Sequence, residues 1–571
     1  MKQLKWWQTA VFYQIYPRSF ADGNGDGIGD FIGMAEKLDY LKDLGVDALW
    51  LSPHFKSPQY DFGYDISDYV DVAPEYGNLD DFKVFLDGAH QQGLRVILDL
   101  VLNHTSHEHP WFVESRSSRD NPKRDWYIWR DGKDGAPPNN WQSCFDGSAW
   151  EFDPQTGQYY YHYFLTQQPD LNWRNPEVKQ AMWQAIRFWL DLGVDGFRLD
   201  AIGTIFEDPA MPDNSVGMSM VDLGRMYFTA QTEEEKEKLW PLFEDLFKYQ
   251  VEQPGMHALM QELRSVIDEY AGDRVLVGEN DMLEYHGNGH NELHMVFNFP
   301  LMRTRQMTPT WVRHNQRQRL AELYKISPDA WPCNTLGNHD CARMYNIFGD
   351  GQHDAELARL NLALLLTLRG TPFLYNGEEI AMTDYMLGDI SLFRDTPAIW
   401  QYNAMVKELG MPEEMALQEA ARGTRDKNRT PMQWRNAPNA GFSPKGVTTW
   451  LPVNPNYAQG INAEDQQTNP SSPLNFYKTM LRFRKETPAL IEGDYQLLKP
   501  RSRNYLAVLR KGQKQTCLVV LNYSGKALKV DLREAGSQSK VLFSNLDREG
   551  KSDALDKLDL LPYEIFIAEV R

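Results

Sequence analysis

Cysteine is scarce in this chain: 571 residues carry only Cys144, Cys333, Cys341 and Cys517. The four fall in no zinc or redox spacing, which argues against a disulfide framework and for a reducing, cytoplasmic compartment. No apolar run approaches the length of a membrane span, and the opening "MKQLKWWQTAVFYQ" lacks the apolar core of a signal peptide. Positive charge is also short. Against 79 Asp and Glu stand 59 Lys and Arg, a formal net charge of −20, so nucleic acid and anionic membranes are poor partners. A small neutral or cationic molecule fits that balance. Internal repeats and low-complexity tracts are absent too.

Aromatics, by contrast, make up 12% and hydrophobic residues 42% of the chain, enough to pack a globular protein of two or three domains. Near the start, "DGNGDGIGD" (22–30) sets oxygen side chains at alternate positions. Asp22, Asn24, Asp26 and Gly27 match the first part of a calcium loop, but Gly33 occupies the place of its bidentate glutamate. No helix leads in, because "VFYQIYP" reads as a strand. The loop is therefore not an EF-hand, and a cation loop and a solvated acidic turn both remain open on spacing alone.

Strand and helix alternate through residue 103. "VFYQIYP" is followed by an amphipathic stretch from Phe31 to Leu44, then by "ALWLSP". Asn78 caps the next helix, Leu79, Phe82, Leu86 and Ala89 share a face, and Gly93 closes it before "RVILDLVLNH". Near-continuous apolar strands separated by helices predict a parallel sheet. From 105 to 173 the alternation stops in a stretch rich in Trp, Tyr, Asp, Asn, Gly and Pro, too long for a plain loop. A helix from Pro176, with Val178, Ala181, Met182, Ala185 and Trp189 on its buried side, restarts it. "GFRLDA", "VLVGEN", "HMVFNFP", "CNTLGN" and "TPFLYN" then bring the strands to eight. Eight strands with interleaved helices predict a (β/α)8 TIM barrel over 1–104 and 174–490, interrupted by an inserted subdomain at 105–173. After the helix "LNFYKTMLRFRKETPAL", the segment 491–571 alternates short apolar runs with turns and reads as an antiparallel β-sandwich domain.

Carboxylates stand at the strand ends, where a barrel builds its site: Asp99 in "DLVLNH", Asp200 in "GFRLDA", Glu279 in "VGEN" and Asp340 in "NHD". Arg198 and Asp200 are two apart and point to one side, so the arginine favours an ionised, nucleophilic Asp200. Glu279, with fewer cationic partners, is expected to stay protonated as an acid. Two carboxyls held at different pKa values form the acid and nucleophile of a glycosidase.

With "QPDLNW" (168–173) and "RTPMQW" (429–434), these motifs give the chain a full-length resemblance to glycoside hydrolase family 13, the α-amylase family. Within it the chain resembles the oligosaccharide α-glucosidase branch, which includes oligo-1,6-glucosidases, maltases, sucrose isomerases and trehalose synthases. The resemblance implies Asp200 as nucleophile, Glu279 as acid/base, and Asp340 as a third carboxylate that holds sugar hydroxyls. It implies that His104 and His339 bind hydroxyls of the first sugar and that Arg198 orients the nucleophile. Asp61 and Tyr64 match the first-subsite motif, Arg425 the arginine that faces Asp61 and closes the non-reducing end, and Phe145, Phe164 and Gln168 lie in matching parts of the inserted subdomain. It also implies a structural Ca2+ on Asp22, Asn24, Asp26, Asp30 and the Ile28 carbonyl, with no cofactor for catalysis.

The activity so implied is exo-acting, retaining cleavage of terminal α-glucosyl units from short oligosaccharides, with transglucosylation as a side reaction, by a monomer or homodimer. Two features depart from the branch. The stretch between Asp200 and Glu279 is long, and its acidic, Met-rich part (203–240) is expected to overhang the leaving-group side. Ala201 follows the nucleophile where a valine accompanies α-1,6 preference in related enzymes, and so leans to α-1,4. A glucosyl isomerase would use the same residues while retaining the released sugar. A non-enzymatic membrane-protein partner, the other fate in the family, is disfavoured by the intact carboxylates.

Overall fold

The computed structural model describes residues 3–229, 235, 238–304 and 306–570. Eight parallel strands, β1 (Phe12–Ile15), β2 (Ala48–Leu51), β3 (Arg95–Val101), β4 (Gly196–Asp200), β5 (Val275–Gly278), β6 (Met295–Val296), β7 (Cys333–Thr335) and β8 (Thr371–Tyr375), are those expected from the sequence. Their order, β6-β5-β4-β3-β2-β1-β8-β7, leaves β6 and β7 as neighbours across the seam. The seam is closed by a parallel bridge between Phe297 and Cys333 and by the Asn298 N–H on the Cys333 carbonyl.

The strand period of two sorts side chains between two cores. Phe12, Ala48, Trp50, Ile97, Val275, Val277, Met295 and Phe373 cluster inside the barrel. Tyr13, Leu49, Leu51, Val96, Leu98, Phe197 and Leu276 belong to the larger cluster shared with the surrounding helices. The inward positions turn polar towards the C-terminal strand ends, with Gln14, Asp99, Arg198 and Asp200, all buried. An apolar plug thus sits beneath a polar floor.

The helices form as their caps dictate. Asn78 accepts the Asp80 and Asp81 N–H groups at the start of Leu79–Gln91, and Asn175 caps Pro176–Leu192, which ends at Gly193 with φ 106°. Ala181 of that helix is half-buried rather than buried. The amphipathic run from Phe31 is broken at Lys37 into Phe31–Glu36 and Leu38–Leu44.

The segment after β3 carries a short helix, Pro110–Ser117, which the sequence did not signal, and a three-stranded sheet of Trp129–Arg130, Gln158–Tyr161 and Trp150–Asp153. It is anchored to the barrel through the bridge His104–Asp170 and the Leu171 N–H on the Asn103 carbonyl. The long stretch after β4 packs on this segment. The Trp141 indole donates to the Pro212 carbonyl and the Asn140 amide to the Asn214 carbonyl, while Phe247, Tyr249 and Val251 join its aromatic cluster. Positions 230–234 and 236–237 of that stretch lie outside the described residues.

At the C-terminal end, β9 (Asp494–Leu498), β10 (Tyr505–Lys511), β11 (Thr516–Asn522), β13 (Gln538–Ser544), β14 (Ser552–Ala554) and β16 (Ile565–Val570) form one antiparallel sheet in the order β9-β10-β11-β16-β13-β14. The pair β12 (Leu528–Val530) and β15 (Leu558–Leu560) packs over it through Val530, Leu558 and Leu560 against Leu509, Val520 and Phe566. Alternate residues of the large sheet, including Val508, Val519 and Ile567, face the barrel's helices instead.

Candidate active site

Three of the four carboxylates expected at the strand ends, Asp99, Asp200 and Glu279, converge on one guanidinium. Arg198 is in register with Asp99 of the neighbouring strand, so their side chains meet. Its Nη1 donates at 2.6 Å to both Asp99 Oδ1 and Asp200 Oδ1, and its Nη2 lies 2.9 Å from Glu279 Oε2. The Trp50 ring lies 5.1 Å beneath the guanidinium and its indole donates to Asp99. Ala201 takes a left-handed backbone (φ 40°, ψ 44°) and donates its N–H to Glu279 Oε2 at 2.8 Å. The expectation that Glu279 has fewer cationic partners than Asp200 is therefore corrected: the two share Arg198. One positive charge serves three carboxyls, those of Asp99 and Asp200 buried and that of Glu279 half-buried. Burial and the neighbouring carboxylates raise Asp99 to about 6 and Asp200 well above the usual carboxylate range, against the pull of Arg198 towards ionisation. The expectation that the arginine alone keeps Asp200 ionised is corrected: Asp200 has a proton to lose before it can attack. Both donors to Glu279 fall on Oε2 and none on Oε1.

Asp340 behaves oppositely. Burial opposes its ionisation, but the N–H of His339 and the charges of Arg429 and Arg425 outweigh that and hold its carboxyl well below the usual range. Arg429 Nη2 donates to Asp340 Oδ1 at 2.6 Å, and Nε to the His339 carbonyl. Arg425 closes one wall: its Nη2 donates to Asp61 at 2.9 Å and to Asp395 at 2.7 Å. Gln168 donates to Asp61 from behind at 3.2 Å. Phe145 and Phe164 meet at 5.7 Å, with Phe164 edge-on to His104.

These groups surround a cavity of about 650 Å3 at the C-terminal strand ends. Asp61, Tyr64, His104, Phe145, Phe164, Asp200, Ala201, Glu279, Asp340 and Arg425 all line it. Arg198, Gln168 and His339 stand behind the wall. His339, expected to touch the sugar, is wholly buried. It accepts the Gln14 amide at Nδ1 (2.7 Å), so its Nε2 carries the proton towards the Tyr64 hydroxyl, 2.6 Å away, and Asp340, 3.2 Å away. Burial depresses its basicity and that of His104, the latter to about 4, so both are neutral.

The sequence reading missed Asp395, whose place before the helix Thr396–Lys407 looks like an ordinary N-cap. Its carboxylate makes no capping bond and binds Arg425 instead. It also missed Arg429, although that residue begins the "RTPMQW" motif, and Glu252, Asn280, Phe299 and Arg303 on the cavity wall.

The acidic loop at 22–30 is closed by its own amides. Asp22 accepts the Gly25 and Gly27 N–H groups, Asn24 that of Asp26, and Asp26 that of Ile28. Asp30 is a helix cap whose carboxylate accepts from Gly23, Asn24 and Gly33. Among the described residues no three acidic, His or Cys side chains converge as a metal cluster. Asp22, Asn24, Asp26 and Asp30 thus all spend side-chain oxygens on the amides of the same loop.

A closed parallel barrel with paired carboxyls at its C-terminal strand ends has the constitution of a glycoside hydrolase. The chain matches the family model described as alpha amylase, catalytic domain, over residues 14–493, and it belongs to that family, glycoside hydrolase family 13. It is 39% identical to the oligo-1,6-glucosidase of Parageobacillus thermoglucosidasius over 99% of both chains. It is 40% identical to a probable alpha-glucosidase of Rhizobium meliloti over 92% of this chain and 91% of that one. Among solved structures, trehalulose synthase MutB from Pseudomonas mesoacidophila MX-45 superposes with a TM-score of 0.86 at 37% identity, covering 100% of both chains.

Proposed function

We propose that the protein is a retaining, exo-acting α-glucosidase for short oligosaccharides. The observation that carries this reading is the Arg198 guanidinium, one nitrogen on Asp200 and the other on Glu279, beneath a cavity walled at one end by Arg425 and Asp61. Asp200 attacks the anomeric carbon as Glu279 Oε1 protonates the departing oxygen. Arg198 holds Asp200 in line, and the β-glucosyl–enzyme ester is then opened by water that Glu279 deprotonates, returning an α-anomer. Retention requires the two carboxyls about 5–5.5 Å apart, which a shared guanidinium favours. Asp340, held ionised, accepts sugar hydroxyls, and Tyr64, fixed by His339, offers its ring to the sugar. An Arg425–Asp61 pair across that end would bar chain beyond the terminal glucose, which supports exo cleavage.

Ala201 supports α-1,4 linkages, while the relative named an oligo-1,6-glucosidase makes α-1,6 the linkage to assay beside it. Likeness to a trehalulose synthase favours a second reading, in which the cavity retains the released sugar and rejoins it; transglucosylation belongs with that chemistry. A Ca2+ held by Asp22, Asn24, Asp26, Asp30 and the Ile28 carbonyl would brace the loop after β1 and take no part in the reaction. The free cysteines support a reducing, cytoplasmic setting, and among the described residues no helix is long and apolar enough to cross a membrane.

Glu279→Gln tests the acid. Positioned proton transfer is worth about 10²–10⁴-fold, so maltose turnover falls by that order while glucosyl fluoride, which needs no acid, keeps forming the intermediate. Equal turnover of maltose by the variant and the parent would remove Glu279 from its role.

A further inference from the structure

Glu252 has no part in the reaction as described, yet it is one of the most constrained residues on the cavity wall. It lies in "YQVEQPG" (249–255), the end of the long stretch after β4. Its backbone is left-handed at φ 53°, a conformation that a non-glycine residue keeps only when its surroundings fix it. Three sets of contacts do so. Its N–H donates to the Gly203 carbonyl at 2.7 Å, on the loop that follows Asp200. Its Oε1 accepts the Asn280 amide at 2.7 Å, and its Oε2 the Tyr285 hydroxyl, both on the loop that follows Glu279. Two residues earlier, buried Gln250 donates to the Gln142 carbonyl and the Tyr161 hydroxyl of the inserted segment. A side chain at Gly203 would put its Cβ 2.2 Å from Glu252 Oε1, so the carboxylate sits directly over the nucleophile's loop.

Asn280 is pinned at both ends, its nitrogen on Glu252 and its oxygen on the Met282 N–H at 2.8 Å. It is the residue after Glu279, and Asn280, Met282 and Glu252 all line the cavity. The donors to Glu252 are neutral, and among the described residues no cation pairs with it, so its charge is directed at hydrogen-bond donors and away from anions.

We propose that Glu252 is a positioning residue for the leaving-group half of the cavity. It fixes Asn280 beside Glu279 and ties the loops after β4 and β5 together, so that the acid meets the departing sugar oxygen at a set distance. This rests on the reading of Asp200 and Glu279 as nucleophile and acid. A sugar leaving group feels that placement, because its oxygen needs a proton as the bond breaks. A nitrophenolate feels it little, because it departs without one.

The test compares maltose with 4-nitrophenyl α-glucoside for the full-length parent, Glu252→Gln, Glu252→Asn and Asp200→Asn. Asparagine tolerates the left-handed backbone, which guards against misfolding. For both Glu252 variants the ratio of kcat/KM on maltose to that on the aryl glucoside falls about ten-fold or more, as expected when a hydrogen bond to a charged group is lost. The fall lies in kcat more than KM. Equal losses on both substrates would reduce Glu252 to a structural part, and unchanged ratios would deny it a role; either overturns the proposal. Asp200→Asn is inactive on both substrates if the underlying reading holds. Activity there would sink that reading separately.

Discussion

Removing Arg425 should damage both the fold and the specificity of this enzyme, and the size of the effect follows from its contacts. The guanidinium serves Asp61 at 2.9 Å, Asp395 at 2.7 and 3.0 Å, and stands 3.6 Å from Asp340. Asp61 and Asp395 are 7% and 4% exposed, while Arg425 itself is 18% exposed. Breaking a buried ion pair from one side costs about 3–5 kcal/mol because the remaining charge is stranded. Water reaching the partly exposed arginine site places Arg425→Ala near the lower end, about 3 kcal/mol. The same wall meets the terminal glucose, and a comparable loss in the transition state lowers kcat/KM on maltose by about 10²-fold. Burial already raises the pKa of Asp61 against the pull of Arg425, and losing that pull moves it higher. Urea melts at neutral pH, maltose kinetics and the products from maltopentaose are the assays. Arg425→Ala with Asp61→Asn should recover part of the lost stability, since a stranded charge is removed with it. A single variant that melts within about 0.5 kcal/mol of the parent and still releases only glucose would refute the reasoning.

Two further outcomes follow from buried and looped carboxylates. Glu378 is wholly buried, its Oε1 has no partner, and burial lifts its pKa from 4.5 to about 8. Between those values the folded state binds a proton that the unfolded chain has released, so stability falls as pH rises through the window, by up to about 1.4 kcal/mol per pH unit. Glu378→Gln removes this contribution, and its stability relative to the parent should climb from pH 5 to pH 8 in paired urea melts; parallel curves would contradict the assignment. For the acidic loop, chelation with EDTA should lower Tm in the parent and not in Asp22→Ala, with turnover at 25 °C unchanged; no shift in the parent would dispose of the calcium proposal.

The barrel was legible because its strands are short apolar runs whose alternation sorts residues inward and outward, and the same phase places Arg198 beside Asp99 and Asp200. The site carboxylates were legible for the same reason, being fixed by strand ends rather than by loop geometry. The sharing of Arg198 was not, since a strand position says which way Glu279 points and nothing of how near the next loop brings it. His339 looked like a sugar ligand from its motif, but only packing shows Gln14 and Tyr64 occupying both of its nitrogens. The helices Thr396–Lys407 and Glu413–Gly423, which bring Pro397, Ala398, Gln401 and Gly423 to the cavity, carry no chemistry-bearing signature. Asp395 and Glu252 act through partners 30 and 28 residues away, contacts to which local pattern is blind.

The most direct test of retaining hydrolysis is a proton NMR time course on purified protein with maltose, following the anomeric signals before mutarotation. The account predicts an early α-glucose signal, with any new linkages appearing beside it. A first product of β-configuration would contradict the double displacement on Asp200, and conversion to a disaccharide with almost no free glucose would place the protein among the isomerases instead.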